Sequence, residues 1–225
     1  ILYRNRGFIS LLKGAIYMRI ITVSREFGSG GREIAKRLSD ALGIAYYDSE
    51  IITEIAKRAD LDENYVANSL EKGIQPTVQI HFACAFSHIA APDPAVKLLA
   101  AQHNIINEIA EKGDCIIVGR AADVLLEKYE PFRIFVYADM ESKIARCRKR
   151  ATDDAKLTDK EIVKKIKQID KGRASSYNMI SSTDWGDKRG YDLCVNTTNA
   201  NIKEITPLIA EYAKQWFNNK ENGKK

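Results

Sequence analysis

Apolar and polar positions alternate along this chain with two different periods. Short runs rich in Ile, Val and aromatic residues are typical of strands, whereas longer segments with apolar residues three or four apart are typical of amphipathic helices. Cys115–Val118 is apolar throughout, as in a strand buried on both faces. The predicted strands are Arg19–Ser24, Ile44–Tyr47, Cys115–Val118, Phe132–Tyr137 and Tyr191–Val195.

Helical segments separate these strands, and a further helix is expected after Asp60, where Asp60 and Glu63 resemble a capping box. The other predicted helices are Arg32–Leu42, Ser49–Arg58, Ala95–Lys112, Ala121–Lys128, Ser142–Arg150, Thr158–Arg173 and Asn201–Phe217. Regular alternation of strands and helices predicts an α/β fold, in which helices cover a parallel sheet. Ligands of such sheets bind at the carboxyl ends of the strands, so the residues that follow each strand are the candidates for function.

The composition is that of an ordinary globular protein, with 225 residues, 45% of them hydrophobic and 29% charged. No apolar run approaches the roughly 18–20 residues of a spanning helix, so we do not expect an integral membrane protein. The net charge of +5 suits an anionic small molecule. We do not expect nucleic-acid binding, because acidic residues interrupt the lysine-rich stretch over 160–171.

The four cysteines include no C-x-x-C pair, which argues against a zinc ribbon or a thioredoxin-like motif. Cys115 and Cys194 lie in apolar runs and are predicted to be buried thiols. A reducing, cytoplasmic setting is the simplest interpretation. Three histidines (His81, His88 and His103) show no metal-ligand spacing, and packing is favoured for the first two.

The two ends of the chain are expected to lie outside the folded domain. Codons for Lys13–Ala15 can contain a ribosome-binding sequence, and Met18 directly precedes the first strand. We therefore expect Met18 to be the natural start and residues 1–17 to be a translated leader or a flexible extension. A short surface helix is the alternative; a signal peptide is disfavoured because the apolar run Phe8–Leu12 is short. Residues 218–225 are predicted to be a flexible tail.

A glycine-rich segment, SREFGSGGRE over 24–33, joins the first strand to the first helix. Glycines let backbone N–H groups surround an anion, and the helix N-terminus adds partial positive charge. Against the P-loop pattern G-x-x-x-x-G-K-[ST], Arg25 replaces the first Gly, Gly31 the Lys, and Arg32 the Ser or Thr. A phosphate-binding version must take its charge from Arg32, Arg25 or elsewhere; the alternative is a turn without a ligand.

Further polar motifs follow the later strands in a definite order. Gly119-Arg120 follows the third strand, arginines at 146, 148 and 150 lie on one basic helix, Asp170–Arg173 follows a charged helix, and Asn196–Thr198 ends the last strand. With the loop phrase, this order resembles the cytidylate kinases, especially the bacterial cytidylate-kinase-like group, over about Met18 to Phe217. The resemblance implies a single P-loop kinase domain over 18–217 with a five-stranded parallel sheet. It also implies an acceptor-binding insertion over about 49–112 and a lid over about 150–160.

The activity implied by this resemblance is transfer of the ATP γ-phosphate to CMP or dCMP, with Mg²⁺. The residues expected at the ATP phosphates are Arg25, Gly28, Ser29, Gly30, Gly31, Arg32 and Glu33. The expected catalytic residues are Arg32, Arg146, Arg150 and Arg173, and the expected acceptor-binding residues are Asp48, Arg120, Asp170 and Arg173. The metal ligands stay unassigned, because Arg32 stands where the family has a hydroxyl.

Several alternatives stay open. The family's extra arginine four residues before Asp170 is Ile166 here, and residues 48–102 match standard cytidylate kinases poorly. The chain could therefore be a kinase for another small phosphate acceptor, or a regulatory nucleotide-binding protein without turnover. Arg146 and Arg150 share one helix face, so both belong to a site or both are solvated. Trp185 either anchors its loop or closes over a substrate, and the oligomeric state stays open, with a homodimer as one alternative.

Overall fold

A parallel sheet with helices on both faces forms the centre of the molecule. The computed structural model describes residues 18–72, 94–150 and 157–223. Within them the strands are β1 (Ile20–Arg25), β2 (Ala45–Tyr47), β3 (Cys115–Val118), β4 (Phe132–Tyr137) and β5 (Leu193–Asn196). Neighbouring strands pair in parallel in the order β2-β3-β1-β4-β5. The predicted five-stranded parallel sheet is confirmed.

The helices of the described residues lie close to the predicted ones. They are α1 (Gly31–Leu42), α2 (Glu50–Ala59), α3 (Glu63–Lys72), α4 (Pro94–Glu111), α5 (Ala122–Leu125), α6 (Met140–Arg150), α7 (Asp159–Asn178) and α8 (Ile202–Gly223). α2, α3 and α4 occupy the stretch expected to be the acceptor-binding insertion. No helix in these ranges combines the length and the apolar character needed to cross a bilayer.

Consecutive residues of β1 point to opposite faces of the sheet and enter two separate cores. Ile20 packs on one side with β3 residues and apolar side chains of α2 and α4. Ile21 packs on the other side with the apolar faces of α1 and α8. Because both faces are covered, β3 has apolar residues at every position rather than at alternate ones. This arrangement leaves the carboxyl ends of the strands as the polar edge of the sheet.

Three details of the prediction were wrong. Asp60 does not begin a helix: it ends α2 with a left-handed φ of 54°, and Asp62 Oδ1 instead accepts a hydrogen bond of 3.0 Å from the Tyr65 N–H. Cys194 is exposed rather than buried, because β5 is the outermost strand of the sheet. The last helix also continues past Phe217 to Gly223, where a flexible tail was expected. The predictions for residues 1–17, for His81 and His88, and for most of the lid lie outside the described residues.

Candidate active site

The glycine-rich loop between β1 and α1 has the backbone geometry of an anion cradle. Gly28 and Gly30 have φ values of 80° and 87°, a left-handed conformation that favours glycine. α1 begins at Gly31, and no side chain caps it. A Cβ built on Gly30 would lie 2.3 Å from the Ile202 Cδ1 atom, so the space there is closed by α8. The N-terminus of α1 thus directs its partial positive charge toward the loop, and Gly30 in that loop has room for backbone atoms only.

Hydrogen bonds of buried side chains hold the loop in this shape. The Ser29 hydroxyl donates to the Glu26 carbonyl at 2.8 Å, and the Thr197 hydroxyl donates to the Ser29 carbonyl at 2.7 Å. Ser29 and Thr197 are both fully buried. Ser29, predicted at the ATP phosphates, therefore contributes backbone to the cradle while its hydroxyl is used inside the loop.

A buried lysine that sequence analysis missed lies beneath the loop. The Lys143 Nζ atom on α6 is 3.0 Å from Glu26 Oε2 and 3.7 Å from Asp170 Oδ2. Asp170 also accepts a hydrogen bond of 2.7 Å from the Phe27 N–H, and its burial raises the pKa of its carboxyl group. Asp170, predicted to bind the acceptor, here joins α7 to the loop.

The side chain of Arg25, at the end of β1, lies against the start of α1. A Cβ built on Gly31 would lie 2.6 Å from the Arg25 Cβ, and one built on Gly119 would lie 1.7 Å from the Arg25 Nη1. Both distances are far below a real contact, so the Arg25 side chain fills the space that side chains at Gly31 and Gly119 would need. Arg173 supports this position from α7, because its Nη1 donates to the Arg25 carbonyl at 2.9 Å.

Arg32 points away from the loop, toward the end of β2. Its Nε atom is ion-paired with Asp48 Oδ2, and its side chain is 58% exposed. The Arg25 Nη2 atom lies 3.9 Å from the other oxygen of the same carboxylate. Asp48, predicted to bind the acceptor, is thus buried between two arginines.

The basic face of α6 lies on the other side of the loop, as the helical spacing predicts. The Arg146 Nη2 atom donates to the Thr197 carbonyl, its Nη1 atom is buried without a hydrogen-bond partner, and burial lowers the pKa of this guanidinium. Arg150 pairs with Glu33 on α1 at 3.3 Å. Both predicted arginines therefore adjoin the candidate phosphate site.

The usual metal-binding hydroxyl of a P-loop has no counterpart here. Arg32 stands at the position of this hydroxyl. Glu33 is the next residue, but its carboxylate is paired with Arg37 and Arg150. The ranges that the structure describes hold no group of three or more His, Cys, Asp or Glu side chains that could bind a metal ion. We therefore assign no resident metal site and derive no chemical step through one.

Arg120 lies on a strained turn at the end of β3. Gly119, Arg120 and Ala121 have successive φ values of 72°, 60° and 48°. Left-handed conformations are unfavourable for residues with a Cβ and cluster at functional sites. The turn therefore places Arg120, the predicted acceptor-side arginine, at the carboxyl edge of the sheet. It follows Gly119, beside which the Arg25 guanidinium lies.

A pocket opens between this turn, α4 and α7. Three arginines line it, Arg25, Arg120 and Arg173, together with Ser24, Gly119 and Ala121 from the strand ends, Gln102 and Leu99 from α4, Leu70 from α3, Ser176 and Tyr177 from α7, and Trp185. The cations predicted from three separate segments thus meet at one cavity. Polar groups share this wall with the apolar side chains of Leu70, Leu99 and Trp185, a combination that suits a small polar ligand.

Gln102 is a pocket residue that sequence analysis did not single out. It is 4% exposed, and its Nε2 donates to the Arg120 carbonyl at 3.0 Å. Its Oε1 is buried and has no hydrogen-bond partner. A signal was available, because Gln102 is polar and lies four residues after Leu98 on the buried face of α4.

The remaining wall of the pocket is held by aromatic residues. The Tyr177 hydroxyl donates to the Asp123 carboxylate at 2.8 Å, and both residues are buried. Trp185 packs edge-to-face on Phe135 with ring centroids 5.3 Å apart, and its backbone N–H donates a hydrogen bond of 3.0 Å to the Asn178 side-chain oxygen. The two alternatives for Trp185 are therefore compatible, since the same ring anchors its loop and lines the pocket.

Comparison with known proteins places this geometry in a family. The chain matches the model of the cytidylate kinase-like family over residues 20–199. No curated protein matches it significantly. An uncharacterized protein from Eubacterium ventriosum ATCC 27560 is 26% identical, with a TM-score of 0.64 over 87% of this chain and 98% of that one.

Two kinases share the fold at lower identity. Shikimate kinase from Bacteroides thetaiotaomicron is 15% identical, with a TM-score of 0.52 over 88% of this chain and 99% of that one. A gluconokinase from Sinorhizobium meliloti 1021 is 13% identical, with a TM-score of 0.53 over 93% of this chain and 99% of that one. By its family match and its sheet, loop and strand order, the chain belongs to the cytidylate kinase-like family and has the fold of the P-loop kinases.

Proposed function

We propose that this protein transfers the γ-phosphoryl group of ATP to a small anionic acceptor, with CMP or dCMP as the preferred acceptor. The observation that carries the proposal is the position of the arginine-lined pocket directly beside the phosphate loop, with Arg25 common to both. Phosphoryl transfer needs little covalent chemistry from the protein; it needs two substrates held in line and positive charge around the moving group. This edge of the sheet offers both.

The donor site consists of the loop, the start of α1 and the basic face of α6. These residues suit the phosphates of a nucleoside triphosphate, because no side chain caps the start of α1 and Gly30 has room for backbone atoms only. Arg146 adds a partly buried cation on the α6 side. Magnesium enters as part of the ATP complex, since Mg²⁺ usually keeps several waters and binds through substrate phosphates.

The acceptor site is the pocket. Arg120 and Arg173 can bind the acceptor phosphate through bidentate hydrogen bonds, which suit the planar guanidinium. Gln102 Oε1 offers a buried acceptor without a partner, which fits the amino group of cytosine and disfavours the carbonyl of uracil at the same place. Leu70, Leu99 and Trp185 supply apolar contacts for a base. These features support cytidylate over uridylate.

The test is ADP release with ATP, magnesium and each of CMP, dCMP, UMP, AMP and GMP. We expect turnover with CMP or dCMP, and weaker turnover with UMP. Arg120→Ala should raise the KM for the acceptor at least tenfold, because each charged hydrogen bond contributes about 1.5–3 kcal/mol, while the affinity for ATP stays as in the unmodified chain. The matched control is Arg58→Ala, which removes an arginine paired with Glu54 and Glu108 on the surface.

Two other outcomes have definite meanings. Rapid turnover with a phosphorylated or carboxylate acceptor outside this set would keep the kinase and overturn the nucleotide specificity. Tight ATP binding without transfer to any acceptor would support the regulatory alternative, for which the missing loop lysine is the motivating observation.

A further inference from the structure

The phosphate loop lacks the lysine of the usual P-loop, and the surrounding cations differ in how far they can replace it. Arg32, which follows the lysine position, is 58% exposed and paired with Asp48. Lys143 is buried against Glu26 and Asp170, so its charge is already balanced beneath the loop. Neither side chain lines the arginine pocket proposed to hold the acceptor.

Arg25 lines this pocket and also lies beside the start of α1. Its Cβ occupies the space beside the start of α1, 2.6 Å from where a Cβ on Gly31 would stand. Its guanidinium extends to Gly119, at the edge of the acceptor pocket, where a Cβ would be 1.7 Å from Nη1. The side chain is 11% exposed, so water screens its charge weakly.

These contacts connect two departures from the P-loop pattern. The pattern places Gly where this chain has Arg25, and Lys where it has Gly31. A side chain at Gly31 and the side chain of Arg25 would compete for one space, so a cation can stand at either position but not at both. Gly31 is also a helical residue, and glycine is the poorer choice there unless a neighbour needs the room.

We propose that Arg25 and Gly31 are a reciprocal exchange, in which Arg25 supplies from the end of β1 the catalytic charge that a lysine at position 31 would supply from α1. The proposal rests on the proposed kinase function. A guanidinium has two parallel donors, so Arg25 can bind an oxygen of the transferring phosphoryl group and an acceptor oxygen together. In the free protein, Asp48 and the Arg173 contact to the Arg25 carbonyl keep it at this place.

The exchange is tested by moving the cation back. We expect Arg25→Gly and Gly31→Lys each to lower kcat/KM by about 100-fold or more, the effect of removing one transition-state donor. The double variant Arg25→Gly/Gly31→Lys should exceed either single variant at least tenfold, in turnover and in ATP affinity. Arg58→Ala is the control for loss of an unrelated arginine.

A second readout does not involve catalysis. Gly31→Ala should lower the Tm of the otherwise unmodified protein, because the new Cβ meets Arg25. In the Arg25→Gly background the loss of Tm should be smaller, since the Arg25 side chain is gone and only the Val136 Cβ, 3.2 Å away, stays close to the new methyl group. Arg25→Met keeps the volume without the charge, so it should lose ATP affinity, and Gly31→Ala in that background should lower the Tm as it does in the unmodified protein.

The outcomes separate the two proposals. An Arg25→Gly protein with kcat/KM within threefold of the unmodified enzyme, or a double variant no better than the worse single one, would overturn the exchange. If the unmodified protein phosphorylates no acceptor, the proposed function fails. The exchange is then decided by ATP affinity and by whether Arg25→Gly reduces the loss of Tm that Gly31→Ala causes.

Discussion

At the scale of single residues, the site contains ionisable groups whose burial sets their chemistry. Asp123 is 5% exposed and lies behind the pocket wall, where it accepts the Tyr177 hydrogen bond. Burial raises the pKa of its carboxyl above the ordinary value of 3.8, and the hydrogen bond from Tyr177 only partly opposes this. The protonated form of Asp123 is therefore favoured in the folded protein more than in the unfolded chain.

This shift gives the unfolding free energy a pH dependence of known sign. The contribution of Asp123 is fully present below about pH 3.8 and is lost as pH rises through the raised folded pKa. Asp123→Asn stays neutral, so its stability relative to the unmodified protein should improve between about pH 4, close to the ordinary value of 3.8, and about pH 8. Urea unfolding at both pH values measures this difference. Asp40→Asn, on the exposed face of α1, gives the baseline, and an equal difference in both variants would refute the assignment.

At the scale of secondary structure elements, one buried ion cluster joins three of them. Lys143 from α6 lies between Glu26 in the loop and Asp170 in α7. The same Asp170 is bonded to the loop backbone at Phe27. The shape of the phosphate loop therefore depends on α6 and α7, the helices at both ends of the expected lid. A movement of α7 would shift the loop backbone at Phe27.

Breaking this cluster should destabilise the whole domain. Lys143→Met leaves two partly buried carboxylates without their buried cation, and we expect a loss of about 3 kcal/mol, the lower end of the range for fully buried pairs. The exposed pair of Lys36 with Asp40 supplies the comparison, because Lys36→Met should change the unfolding free energy by no more than about 1 kcal/mol. Urea denaturation of both variants decides the matter. Equal losses would mean that the cluster adds no more than a surface pair.

At the scale of the whole molecule, the strand order separates the two proposed binding sites. β1 lies between β3 and β4, so the chain adds β2 and β3 on one side of β1 and later adds β4 and β5 on the other. Such a switch point opens a crevice at the carboxyl ends of the central strands. The acceptor pocket lies on the β3 side with Arg120, and Arg146 and Thr197 lie on the β4 and β5 side.

Binding at two separate sides should stabilise the fold in two steps. ATP at 100 times its Kd contributes about 2.7 kcal/mol, which raises the Tm of a protein of this size by about 5–10 °C. CMP added to the ATP-bound protein should raise it further, because its pocket stays open. Thermal unfolding monitored by intrinsic fluorescence measures both steps. A Tm unchanged by ATP would contradict the assignment of the loop as the donor site.

The periodicity of the chain determined the fold, because helix and strand periods are local properties. The bounds of β3 and β4 were predicted to the residue from their apolar runs. The glycine-rich phrase identified the phosphate loop for the same reason, since left-handed φ values at Gly28 and Gly30 need glycine whatever surrounds them. The segment at Asp60 was misassigned because the spacing of Asp60 and Glu63 resembles a capping box, whereas α3 begins only at Glu63 and Asp62 accepts the hydrogen bond from its first turn.

Only the tertiary structure decided where the charges go. Arg32 and Arg25 were both expected at the ATP phosphates, but the exposed Arg32 pairs with the buried Asp48, while Arg25 fills the space beside Gly31 and lies 3.9 Å from the same carboxylate. Lys143 and Gln102 gave no motif, because their partners are 117 and 18 residues away along the chain. A side chain's direction depends on partners that folding brings together, so local pattern located the site and three-dimensional packing assigned its residues.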